Sequence, residues 1–69
     1  MIFHLEVERE EDGRWIAEIP ELPGVIKYGS TRNDAIAQAK ALALRVIADR
    51  IEHGEFPIEP IHIEFPVAA

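Results

Sequence analysis

The sequence predicts an α+β fold with two layers in the order β-β-β-α-β. One long helix lies across one face of a four-stranded, mostly antiparallel sheet. Three observations lead there. Apolar and polar residues alternate on both sides of Asp12-Gly13. A stretch from Thr31 to His53 holds no proline or glycine and repeats apolar residues at three- and four-residue steps. Alternation then returns at residues 61–65. A right-handed helical return sets such a last strand beside the first and parallel to it.

The first strand is expected over residues 2–10. Phe3, Leu5 and Val7 point to one side and His4, Glu6 and Glu8 to the other, as in a half-buried strand. Asp12-Gly13 is a tight-turn signal, because glycine takes positive φ freely. The second strand, 14–19, places Trp15, Ala17 and Ile19 on one face and Ile16 and Glu18 on the other. Pro20 and Pro23 remove two backbone donors, so residues 20–24 form a stiff bend and not a central strand. A short third strand covers 25–28, closed by Gly29.

Thr31-Arg32-Asn33-Asp34 resembles a capping box, and Gly54 suits the far end of the helix. Ala35, Ile36, Ala39, Leu42, Ala43, Val46 and Ile47 make the buried stripe. Phe56 to Pro60 forms a second stiff connector, and Ile61, Ile63 and Phe65 form the last strand.

A chain of 69 residues allows a single domain, 1–69. Apolar residues make up 48%, so there is a core to bury. A chain this short is nonetheless marginal as a monomer, and the lack of cysteine excludes disulfides and thiolate metal sites. The chain has no apolar run long enough for a membrane span and no signal-peptide pattern at its start, so a cytoplasmic address is expected. The net charge of −6 argues against nucleic acid as a direct partner.

Two features exceed those of a bland domain. The first is a second helical stripe of Ala37, Ala41, Leu44 and Ala48, small enough for another backbone to approach closely. It reads as a self-association surface for a dimer or tetramer, or as ordinary exposed alanine in a good helix former. The second feature is where the charge sits. Seven carboxylates face two arginines in residues 1–21, a net −5, whereas residues 32–53 carry four cations and three acids, a net +1. The acidic surface reads as a solvated sheet face, or as a docking surface for a basic protein partner.

Catalysis is not expected. No Ser-His-Asp arrangement and no HExxH spacing is present. His4 and His62, flanked by Glu6 and Glu64, could meet on the outer sheet face, but exposed polar-face histidines are the simpler reading. No metal or cofactor is expected.

The run from Asp12 to Val25, with its Ala17-Glu18-Ile19-Pro20-Glu21-Leu22-Pro23-Gly24 block, resembles the signature of HicB-type antitoxins. Gly29-Ser30-Thr31 opening an Ala-rich helix and the Gly54-Glu55-Phe56-Pro57 tail extend the resemblance over residues 2 to about 65. The resemblance implies a partial ribonuclease-H-like fold, oligomerisation, and neutralisation of a small basic HicA-type ribonuclease toxin. Full-length members carry a C-terminal DNA-binding domain that has no counterpart in these 69 residues, so self-regulation is not expected. Partner contacts are then expected from Glu10, Glu11, Asp12, Trp15, Glu18, Glu21 and Leu22, and self-contacts from Ala37, Ala41, Leu44 and Ala48. The alternative is an oligomeric scaffold, or a small-ligand-binding domain, with no toxin.

Overall fold

The structure, a computed structural model, describes residues 1–56 and 62–68. The chain folds as α+β, with a three-stranded antiparallel sheet and one helix. Its elements are β1 (Leu5–Arg9), β2 (Trp15–Glu18), β3 (Ile26–Gly29), α1 (Arg32–Glu52) and a two-residue β4 (Val67–Ala68). The order across the sheet is β3-β2-β1-β4, so β3 is an edge strand with no further strand beside it among the described residues.

The hairpin register follows the expected alternation. Val7 pairs with Ala17 and Arg9 with Trp15 on the helix side, while Glu6 pairs with Glu18 and Glu8 with Ile16 on the open side. The turn is closed by the Gly13 N–H bond to the Glu10 carbonyl (3.0 Å), and Gly13 takes φ +92°, where a side chain would be strained. Asp12 accepts from the Arg14 amide (3.1 Å) and from Arg14 Nε (2.7 Å), which locks the turn.

The Pro20–Gly24 bend is part of the core. Ile19 N–H bonds Val25 C=O, and Leu22 N–H bonds back to Ile19 C=O, both at 3.0 Å. This winding drops Leu22 inward and leaves Pro20 and Pro23 outside. Leu5, Ile19, Leu22 and Val25 are the largest fully buried side chains. Each contributes roughly 1.5–3 kcal/mol by leaving water.

Thr31 caps α1, its hydroxyl accepting from the Asp34 amide at 3.0 Å. Ala35, Ala39, Ala43 and Ile47 face the sheet in one i, i+4 row, and the three alanines are fully buried. Their small size lets the helix lie close, and Gly29 stands tightly against it. A Cβ there would stand 2.5 Å from the Ala35 amide nitrogen. The far end closes with Gly54 N–H on Ile51 C=O (3.1 Å) and Glu55 N–H on Arg50 C=O (2.8 Å), the paired bonds of a Schellman motif, with Gly54 at φ +72°.

The expected strand at 61–65 needs correction. Ile61 lies outside the described residues, and Glu64 forms only an isolated parallel bridge to Ile2. The strand itself is Val67–Ala68, parallel to β1 with Leu5 opposite Val67. Backbone bonds do run alongside β1 earlier, from Phe3 N–H to Glu64 C=O (3.0 Å) and from Leu5 N–H to Pro66 C=O (2.9 Å). Pro66 has no N–H to give, which interrupts the ladder. The alternating apolar residues still pack: Ile63 and Phe65 lie against the core, and the Phe65 ring sits 6.0 Å from that of Phe3. The connector residues 57–60 lie outside the described residues. Among the described residues, no helix is long and apolar enough to cross a membrane.

Candidate partner-binding face

The helix covers one side of the sheet, and the other side is open among the described residues. Period-two alternation sends Glu6 and Glu8 of β1, Ile16 and Glu18 of β2, and Ile26 and Tyr28 of β3 to that open side. The face is therefore divided. Its β1 half is acidic, and its β3 half is apolar, with Ile26 41% and Tyr28 43% exposed.

Glu6, Glu8, Glu10, Ile16 and Glu18 line a shallow groove of about 120 Å³. Glu6 and Glu18 are direct cross-strand partners. Like charges so placed repel. Among the described residues, none of these four glutamates has an ion-pair partner.

The residues singled out from the sequence do not all reach this face. Glu11 and Asp12 surround the hairpin turn, where they line a broad concavity with Arg14 and with Glu10, the one member of this run that also lines the open-face groove. Asp12 is partly neutralised there. Hydrogen bonds from the Arg14 amide and guanidinium hold its carboxyl below the usual range. Glu18 lies squarely on the open face. Trp15 is half-buried on the helix side, packed against the core. Leu22 is 1% exposed, so it is a core residue with no surface to offer a partner.

Glu21 is already engaged. Its carboxylate accepts from the His4 backbone amide (3.0 Å) and from His4 Nδ1, tying the proline bend to the start of β1. The His4 imidazole bond holds the Glu21 carboxyl below its ordinary pKa. His4 is thereby directed at Glu21, and His62 pairs with Glu64 at 3.1 Å. No three metal-binding side chains gather among the described residues.

On the helix, Ala37, Ala41, Leu44 and Ala48 are all exposed, Leu44 at 48%. Sequence reasoning counted Glu6 and Glu8 in the acidic surface but did not set Ile16, Ile26 and Tyr28 beside them on one face. The hairpin register was the available signal, since it decides which residues of neighbouring strands stand side by side. Arg14 also escaped notice; its guanidinium sits 4.6 Å from the centre of the Tyr28 ring and bounds the apolar half.

Comparison with protein-family models, with curated proteins and with solved structures found no match to this chain.

Proposed function

We propose that this protein is a binding module of the HicB antitoxin type, which captures and neutralises a small basic protein, a HicA-type ribonuclease toxin, on its open sheet face. The observation that carries this reading is the run of carboxylates Glu6, Glu8, Glu10 and Glu18 in one groove, without ion-pair partners among the described residues and beside an apolar strip. Such a surface accelerates encounter with a basic partner and gives it apolar contacts on arrival. The signature block of residues 17–24 and the β-β-β-α order support the family resemblance, and the parallel pairing of β4 with β1 supports a partial ribonuclease-H-like arrangement. The role is binding, without catalysis, metal or cofactor. Fold alone would not argue for nuclease activity.

A second reading, an oligomeric scaffold without a toxin, is favoured by the exposed Leu44 within the alanine stripe. Co-expression separates the two. A small basic protein encoded beside this gene should arrest growth alone and lose that effect when this chain is supplied. The Glu6→Lys/Glu18→Lys double variant, checked for folding by circular dichroism, should fail to rescue. Rescue undiminished by the double variant removes the open face from the reading. A pull-down that recovers only this chain favours the scaffold.

A further inference from the structure

The free edge of the sheet, β3, runs beside α1, and the space between them is a groove of about 230 Å³ lined by Lys27, Ala37, Gln38, Ala41 and Arg45. Its floor is built of alanine, which leaves room for a chain to lie down. Its lining carries two cations and no carboxylate, in a protein of net charge −6. Neither Lys27 nor Arg45 has an ion-pair partner among the described residues. Gln38 turns its amide nitrogen to Asp34 (3.1 Å), which occupies that carboxylate at the helix start.

Among the described residues, no strand pairs with the backbone of the same edge. The Ile19–Val25 hydrogen bond sets the phase of the β2–β3 ladder. Alternation then aims Lys27 backbone groups at β2 and turns the amide and carbonyl of Tyr28 away from it. Lys27 lies on the helix side of β3 and Ile26 and Tyr28 on the open side, so the edge presents a charge on one side and apolar surface on the other.

We propose that the β3 edge and the Lys27/Arg45 groove receive an extended acidic segment of a partner protein, which adds to the sheet as a further strand. Strand addition couples main-chain hydrogen bonds to side-chain recognition at alternate positions. Every second residue of the segment points to the helix side, where a carboxylate meets Lys27 and Arg45. The residues between point to the open side, where β-branched side chains cover Ile26 and Tyr28. The recognised chemistry is thus acidic alternating with apolar. A two-fold pairing of β3 with a second copy is disfavoured, because it brings Lys27 of each chain toward the other. This surface is separate from the acidic groove over β1, and the proposal does not depend on the toxin-binding reading.

The test uses the full chain and a capped synthetic peptide, Thr-Glu-Val-Glu-Ile-Glu-Thr, followed by two-dimensional amide NMR and fluorescence anisotropy. The expected result is saturable binding that shifts the Tyr28 and Lys27 amides and slows Tyr28 amide exchange. Lys27→Glu/Arg45→Glu should weaken it roughly tenfold or more, and a peptide with lysine in place of glutamate should not bind. The charge-reversed protein must retain its amide dispersion; Lys27→Gln and Arg45→Gln provide milder versions with smaller losses. Three results overturn the proposal. They are no saturable binding, shifts confined to residues away from β3 and α1, or a wild-type dimer that Lys27→Glu/Arg45→Glu converts to monomer, which would give the edge to a second copy.

Discussion

Glu6 stands directly opposite Glu18 across the β1–β2 ladder, both on the open face, with no cation paired to either among the described residues. The arrangement works against the fold, since opposed like charges weaken a sheet. A solvated face needs charge, but it does not need that charge to be opposed to itself. Replacing Glu18 with Lys converts repulsion into attraction and should stabilise the protein by roughly 0.5–1 kcal/mol. Urea denaturation reads this as a higher midpoint at unchanged slope. The wild type should gain more from added salt than the variant, because screening weakens a repulsion in the first and an attraction in the second. The same change should reduce capture of a basic partner. A variant that is neither more stable nor less salt-sensitive would show that the two carboxylates do not interact.

Gly29 makes a prediction of a different kind. The Cβ of Gly29→Ala would stand 2.5 Å from the Ala35 nitrogen and 2.8 Å from Asp34 Oδ2, and the nearer neighbour is helix backbone. The start of α1 must then move off β3. A loss of about 1–3 kcal/mol is expected, in the range of overpacked cores. Ala35→Gly adds no space at the backbone nitrogen, so it should not rescue the variant. A Gly29→Ala protein with an unchanged denaturation midpoint would contradict the close approach.

Part of this arrangement was legible in the sequence. The alternation about Asp12-Gly13 gave the hairpin and its sidedness, because period two leaves only one way to bury Leu5, Val7 and Ala17. Thr31 and Gly54 gave the helix ends, because each answers an unsatisfied backbone group. The last strand was misplaced because Ile63 and Phe65 alternate for packing, while the ladder depends on backbone donors that Pro66 lacks. The site was less legible. Leu22 and Trp15 look like interface anchors in the sequence, yet the bend buries one and the other lies half-buried against the core. Gly29 reads as a strand terminator until α1 lies against it. Glu21 reads as surface charge until the bend brings it to His4. In each case the missing information was a contact between segments far apart in sequence.

The Glu21–His4 bond should show in the acid limb of stability. Glu21 has its pKa lowered in the fold, chiefly by the hydrogen bond from the His4 side chain. A depressed carboxyl contributes stability above its unfolded pKa of about 4.3 and loses it as pH falls through the folded value. Wild-type urea midpoints should therefore fall between pH 5 and pH 3. In Glu21→Gln that fall should be shallower, with a lower midpoint at pH 7. His4→Ala should have the same two effects, since it removes the donor. Parallel acid limbs in wild type and Glu21→Gln would mean that the bend is held without this bond.

His53 should act at the opposite end of the scale. It caps α1, with its Nδ1 2.7 Å from the Asp49 carbonyl oxygen and 3.4 Å from Asp49 Oδ1. The bond to the Asp49 carbonyl is the largest cause that raises its pKa, followed by the negative charge of Asp49. A charged imidazole here also opposes the negative end of the helix dipole. With the folded pKa above the unfolded one, the contribution is complete below about pH 6.5 and disappears as pH rises through the folded value. Stability should accordingly decline between pH 6 and pH 8, and His53→Gln should flatten that decline while leaving the stability at pH 8.5 nearly unchanged. An NMR titration of the His53 ring protons reports the same quantity directly. Its midpoint should lie above 6.5 in the folded protein and should fall toward that value in Asp49→Ala, which removes the nearest carboxylate but keeps the carbonyl. A wild-type midpoint at or below 6.5 would contradict the capping role of the charged ring.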